Sequence, residues 1–242
     1  MTYVRYSDFD DDYLCFMEKR MDICVDELRN LKSLSAKALE RVMRTSESVF
    51  LPKGTTVFHE NQQLKKLYCI KEGACKFSTI DKSGKEHILR FLGKGEIMGK
   101  RSLISNKGAR VSATTLTDTE LYCLDRNEIS ENLRINTDFC NDLLQAMVQD
   151  INLNQNARIA FSAHKGIKER LINLLIYLAE KFGQQADGKL EMRLRREDMA
   201  SVLGTSPEYI INLLTQFKRK GALSIDKGEI VLGNMEKLKT LI

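Results

Sequence analysis

The chain has 242 residues, of which 43% are hydrophobic and 29% charged, with a formal net charge of +5; that length suits two modest domains or one large one with a core to bury. Its longest apolar runs, such as LLIYLA at 174–179, are far too short to span a bilayer, and acidic residues (Asp8, Asp10, Asp11, Asp12) stand where a secretory signal would be basic and then apolar. The expected address is cytoplasmic, with no membrane partner.

Residues 1–48 read as polar and helical, VDELRNLKSLSAKALERVM placing apolar positions at Leu28, Leu31, Leu34, Leu39 and Val42. From 49 to about 125 the pattern changes to short alternating or β-branched runs between glycine turns: PKGTTVF, KLYCIKEGACKFSTI, DKSGKEHILRFLGKGEIMG and ARVSATTLTDTELYCLD. Many short strands at this spacing suggest a barrel or a sandwich. Beyond Arg126 helix returns as one long segment from about 127 to 161. Cys140, Leu144, Met147 and Ile151 form an apolar seam in alternating steps of four and three, continued by Asn154, Arg158 and Phe161. A repeat of about 3.5 residues is what a pairing helix needs, with a polar residue to fix register. A long helix packed on its own domain explains the pattern nearly as well. GIKERLINLLIYLAEKFG at 166–183 is a strongly apolar helix, and the domain boundary falls near His164-Lys165-Gly166.

From Lys189 the order is strand-like KLEMRL, helix RREDMASVLG, turn, helix PEYIINLLTQFKRKG, then ALSIDKGEIVLG with two short β runs around Asp226-Lys227-Gly228. Helix, tight turn, helix and hairpin make a winged helix-turn-helix. Ser206 is an N-cap, Pro207 suits the first helical position and Glu208 faces the positive end of the helix dipole. Met199, Val202 and Leu203 face inward with Ile210, Leu213 and Leu214, while Gly204 permits the turn. Helix 206–219 would lie in a DNA major groove. There Glu208 can accept from cytosine, Asn212 can pair with adenine, and Tyr209 and Gln216 can reach bases or phosphates. Arg195, Arg196, Ser206, Lys218, Arg219, Lys220 and Lys227 are the expected phosphate contacts. Residues 165–242 hold 14 Lys and Arg against 10 Asp and Glu, the rest 24 against 23. A polyanion partner gives such a footprint, and so does a solvated helical face.

The stretch LRREDMASVLGTSPEYIINLLTQFKRKGAL resembles the DNA-binding module of the cyclic-AMP receptor protein and fumarate-nitrate regulator (CRP/FNR) family. GTTVFHENQQLKKLYCIKEGACKFSTIDKSGKEHILRFLGKGEIMGKRSLI resembles that family's cyclic-nucleotide-type barrel, and together the likeness covers roughly residues 25–240 in the family's order. The resemblance implies an α+β protein and a homodimeric transcription regulator. Residues 1–126 would form a helical lead-in and a cyclic-nucleotide-binding-like β jelly roll, 127–164 the dimerisation helix and hinge (Leu144, Met147, Ile151, Asn154), and 165–242 the winged helix-turn-helix. Its implied partners are double-stranded DNA with a near-palindromic operator, a second copy of the chain, and RNA polymerase. Family members usually begin the recognition helix with Ser-Arg-Glu and carry an Arg four residues after the Glu; here stand Ser206-Pro207-Glu208 and Asn212. Losing both arginines removes two guanine readers, so a different operator is expected.

In cyclic-AMP-binding relatives a Gly-Glu holds the ribose and a later Arg holds the cyclic phosphate. This chain has Gly99-Lys100 for the first, and counting back from DTEL at 118–121 puts the second on Ala109, with Arg110 one place late. A lysine cannot accept the ribose hydroxyl's hydrogen bond, and one step of register in a strand sends a side chain to the other face. Cyclic AMP is therefore not the expected effector. Two readings stay open: an unidentified anionic small molecule held around Gly99 by Lys100, Arg101 or Arg110 with Ser112, or a barrel that serves as scaffold in an effector-independent regulator. An iron-sulfur cluster would need closely spaced amino-terminal cysteines, and only Cys15 and Cys24 lie there. Cys69, Cys75, Cys123 and Cys140 read as packed thiols, and no cofactor or metal is expected. No nucleophile elbow, Walker loop or catalytic His constellation argues for an enzyme. A cyclic-nucleotide-type regulatory or interaction protein is the remaining alternative.

Overall fold

The computed structural model describes residues 31, 33–105, 107–160, 166–233 and 235–241, without the side chains of 36 and 153–160. Cys15, Cys24, Leu28, Phe161 and the proposed boundary at His164-Lys165 lie outside the described residues, as do the side chains of Asn154 and Arg158. Helix α1 (Ala36–Arg44) is capped by Ser35, whose side chain accepts from the Ala38 N–H. Eight strands follow: β1 (Glu47–Leu51), β2 (Thr56–Phe58), β3 (Lys66–Glu72), β4 (Cys75–Ile80), β5 (Glu86–Leu92), β6 (Ile97–Met98), β7 (Ser112–Thr115) and β8 (Thr119–Asp125), with α2 (Lys100–Ser105) between β6 and β7. They form two antiparallel four-stranded sheets, ordered β1-β8-β3-β6 and β2-β7-β4-β5. This is the jelly-roll arrangement, which resolves the barrel-or-sandwich reading in favour of two facing sheets.

The inner faces meet over Phe58, Leu64, Ile70, Cys75, Leu92, Met98, Ala109, Ala113 and Leu121. The outer face of the β1-β8-β3-β6 sheet is also buried: Leu67, Cys69, Tyr122 and Leu124 pack under α1, α3 (Arg126–Ile135) and α4 (Thr137–Ala160). Burial on both faces explains why LYCI and LYCL read as unbroken apolar runs rather than strict alternations.

The expected single helix from about 127 to 161 is two. Asn136 takes extended dihedrals (φ −122°, ψ 103°). Its Oδ1 accepts from the Phe139 N–H and its Nδ2 donates to the Ser33 carbonyl. The residue thus caps α4 while tying the corner to the lead-in. Asn136, Thr137 and Asp138 form an N-cap with an acidic first turn, a start signal that the apolar periodicity across it conceals. Because Ile129 of α3 packs in the barrel's outer cluster, residues 126–136 belong with the barrel rather than with a dimerisation helix.

The carboxy-terminal domain consists of α5 (Ile167–Phe182), α6 (Arg196–Leu203), α7 (Pro207–Arg219), β9 (Ser224–Asp226), β10 (Glu229–Val231) and α8 (Met235–Lys239). The strand read at KLEMRL reduces to isolated bridges, Gln184 with Leu190 and Lys189 with Val231. Alternating Leu190, Met192 and Leu194 do all turn into the core, but no neighbouring strand is long enough to pair the whole run. That core joins Leu171, Leu175 and Leu178 of α5 to Met199 and Leu203 of α6 and Ile210, Leu214 and Phe217 of α7.

Candidate nucleic-acid interface and effector domain

Helix α7 starts as its sequence dictates. The Ser206 hydroxyl oxygen accepts from the Tyr209 N–H, and Pro207 occupies the first turn. The Glu208 carboxyl is held below the usual carboxylate range by its own backbone N–H and then by the Ser206 hydroxyl. Both residues therefore shape the helix start in the free protein, and Glu208 also stays exposed. Gly204 sits in the left-handed region (φ 63°, ψ 44°), turning the chain from α6 into α7. Ile210, Leu213, Leu214 and Phe217 are buried, leaving Glu208, Tyr209, Asn212 and Gln216 exposed on the free side. All four expected base readers thus share one accessible surface.

The expected phosphate anchors divide into two groups. Lys218, Arg219 and Lys220 end α7 in solvent, and Lys227 is exposed at the wing tip; none forms an ion pair with a described residue. Lys227 and Gly228 both have positive φ (46° and 83°), which a two-residue hairpin turn of the primed type requires. Arg196, in contrast, is half-buried and donates to the Gly228 carbonyl at 3.2 Å, bracing the wing against α6. Arg195 bonds Asp198 through Nε at 3.1 Å.

Asp198 opens a seam that the sequence reading missed. Its carboxylate is almost fully buried and also receives the Lys76 ammonium of β4 at 2.8 Å. Lys76, itself buried, reaches Glu86 at 2.7 Å. Burial opposes charge on Asp198, but hydrogen bonds from Arg195 and Lys76 outweigh it and lower its pKa. β5 is an edge strand, and the carboxy-terminal domain covers that edge. Ser201 of α6 accepts from the Ile88 N–H at 3.1 Å and donates to the Glu86 carbonyl at 2.7 Å, while Lys181 of α5 donates to the Phe91 carbonyl at 2.9 Å. Three backbone groups that would face water are satisfied by side chains. Ala74, Ile88, Phe91 and Leu116 of the barrel join the reader's own core beneath them.

A second charge network runs beside this seam. Asp150 of α4 receives Arg90 at 2.9 Å and Lys100 at 2.9 Å, and Glu96 receives Arg90 and, at 2.8 Å, Lys181. It ties barrel, α4 and α5 together. It also decides the fate of the residues expected to hold an anion. Lys100 is buried and neutralised by Asp150. Arg101 and Arg110 are exposed, whereas Ala109 turns into the inner cluster. Ser112 accepts the Glu60 N–H, and Gly99 takes a positive φ at the start of α2. The structure does not gather this set into an anion site: Arg110, in the bend just before β7, is exposed, and α4 supplies Lys100 with a carboxylate.

On α4, Phe139 and Leu143 pack on the barrel, while Leu144, Val148 and Ile151 are exposed and Met147 and Cys140 half-buried. Among the described residues the exposed apolar stripe of α4 thus runs 144, 148, 151, with Met147 half-buried beside it. Cys69, Cys75 and Cys123 are buried cysteines outside any disulfide; burial pushes the Cys75 thiol up to about 12. Among the described residues no cluster of His, Cys, Asp and Glu could hold a metal, and no helix is long and apolar enough to cross a membrane.

Comparison with known proteins agrees with this geometry. Residues 48–136 match the model of the cyclic nucleotide-binding domain, and residues 169–241 that of the Crp-like helix-turn-helix domain. The CRP-like cAMP-activated global transcriptional regulator of Mycobacterium tuberculosis is 24% identical over 209 residues, 86% of this chain and 93% of that protein. The fumarate and nitrate reduction regulatory protein of Escherichia coli is 28% identical over 194 residues, 79% of this chain and 76% of its own. Among solved structures, FixK2 of Bradyrhizobium japonicum superposes with a TM-score of 0.72 at 20% identity, over 81% of this chain and 97% of that one. With both domains present in the family's order and no enzyme among these relatives, the chain belongs to the CRP/FNR family of transcription regulators.

Proposed function

We propose that this regulator acts in the cytoplasm as a homodimer that reads a near-palindromic DNA site without cyclic AMP as its effector and without a cofactor. The observation that carries the reading is the outer face of α7. Exposed polar side chains there end at Lys218, Arg219 and Lys220, and these, like Lys227 at the wing tip, form no ion pair with a described residue. Cations left in water at the rim of a helix face suit a phosphate backbone, and the polar stripe between them suits base edges. Pairing of Leu144, Val148 and Ile151 with the same stripe of a second copy would bury apolar surface now in water. It would set the two readers about 34 Å apart, one DNA turn, where the bound dimer can act on RNA polymerase.

Three features support excluding cyclic AMP: a Lys where the ribose-binding carboxylate belongs, Arg110 turned outward, and an interior lined by Phe58, Tyr68 and Phe77 with ring centroids 5.7 and 6.2 Å apart. The seam at Lys76, Asp198 and Ser201 supplies a route by which barrel and α4 could bias the pose of the reader, through any ligand that binds one pose more tightly. Selection from random duplexes tests the reading, with gel shifts on the recovered site and sedimentation of the free protein. A dimer, an enriched inverted repeat and an unchanged dissociation constant with millimolar cyclic AMP are expected. Failure to enrich any sequence at low salt would overturn it.

A further inference from the structure

The reader carries two exposed apolar side chains that its fold does not use. Tyr209 and Ile211, 45% and 48% exposed, are the large hydrophobic residues left in solvent among the described positions of 166–241. Neither belongs to the buried carboxy-terminal core or to its half-buried satellites, which come from other elements. Helix propensity does not account for Ile211 either, since a β-branched residue is a middling choice on an exposed helix. At about 100° per residue, Glu208, Asn212, Thr215 and Arg219 run down the middle of the free side, and Ile211 borders that stripe next to Glu208 and Thr215. The Thr215 hydroxyl donates to the Ile211 carbonyl at 2.8 Å, so its proton is committed to the helix itself. What this flank offers a groove is apolar contact.

The apolar feature of a major-groove edge is the thymine methyl group, and each A·T pair presents one beside an adenine edge that asparagine reads. We infer that Ile211 is a specificity-determining residue that packs on a thymine methyl, so that with Asn212 it selects A·T pairs in each half-site. The inference rests on the DNA-reading assignment of α7 and deepens it. The occupant is duplex DNA rather than a protein because Lys218, Arg219 and Lys220, which pair with no carboxylate among the described residues, end the same helix.

The test replaces thymines of the best site recovered by selection with deoxyuridine, one at a time and in both half-sites together, which removes a methyl group and leaves every hydrogen bond. At one position the substitution should weaken the wild type roughly three- to fivefold per half-site, the worth of one buried methyl. Ile211→Ala should bind the two DNAs equally, while its melting temperature stays that of the wild type because the side chain is exposed. Deoxyuridine without effect at every position, or with the same effect on Ile211→Ala, would overturn the inference while leaving DNA reading intact. A selected half-site without thymine would overturn it too. If selection recovered no site, or Tyr209 and Ile211 were protected on binding a protein instead, both this inference and the DNA-reading assignment would fall.

Discussion

Inside the jelly roll, Phe58, Ile70, Met98 and Leu121 are withdrawn from water and Lys100 is answered by Asp150, whereas on α7 Tyr209 and Ile211 stand in solvent and Lys218, Arg219 and Lys220 meet no carboxylate among the described residues. The two regions use similar residue types. They differ in whether the fold itself supplies the partner. A satisfied charge or a packed ring stabilises the free protein and has little left to give a ligand, while an exposed apolar side chain beside free cations gains only when something binds. By that criterion the outer face of α7 is the surface left open to a partner, while the edge of β5 is already covered by the carboxy-terminal domain.

Opening the barrel interior offers the largest test of this contrast. Phe58→Ala should cost about 3–5 kcal/mol in equilibrium denaturation, the range for a large side chain lost from a packed core. A cost below about 1 kcal/mol would show a soft interior that a ligand normally fills. Next comes the seam between the regions. Lys76→Met leaves the buried Asp198 with Arg195 alone and should cost about 3 kcal/mol. Faster hydrogen exchange at the amides of β5 and a wider scattering profile should accompany it. Replacing Asp198 by Leu as well should restore part of the loss, because no buried charge is then left without its partner; equal losses in the single and double variants would deny the coupling.

On the binding surface, Lys218→Ala or Arg219→Ala should each flatten the dependence of log affinity on log salt by about 0.9, whereas Arg110→Ala on the barrel should leave it unchanged. Measuring both slopes on one operator compares the regions directly. The smallest effect is expected from pH. Asp198 has a folded pKa below its unfolded value, so its contribution is complete above the ordinary aspartate value of about 3.9 and is lost only as pH falls through the lower folded value. Domain docking followed by scattering should therefore be flat from pH 8 to about 5 and fail only below about 4. A transition near pH 6 would mean that a histidine, not Asp198, governs the seam.

Much of this was legible in the residues. Ser206, Pro207 and the spacing of Ile210, Leu213, Leu214 and Phe217 state the start and buried face of α7 locally, and Gly204 and Lys227-Gly228 mark the two turns around it. The helix break at Asn136 was legible too, through its capping pattern, but the periodicity running across it masked it. Asp198 resembled any acidic residue of a first helical turn, and Lys76 any lysine of a strand. Nothing in either sequence neighbourhood says that, 122 positions apart, they meet in a buried pair.

Local propensity, capping and hydrophobic period act over a few residues, so the amino-acid sequence alone determined the helices of the reader, the β character of 49–125 and the face that α7 turns outward. Which charges are left for a ligand depends on what approaches from elsewhere in the chain. Only the tertiary structure decided that Lys100 belongs to Asp150, that Arg110 points to water, and that the open edge of β5 is covered by the DNA-reading domain, because a lone charge or an unpaired strand edge takes whichever partner packing brings within bonding distance.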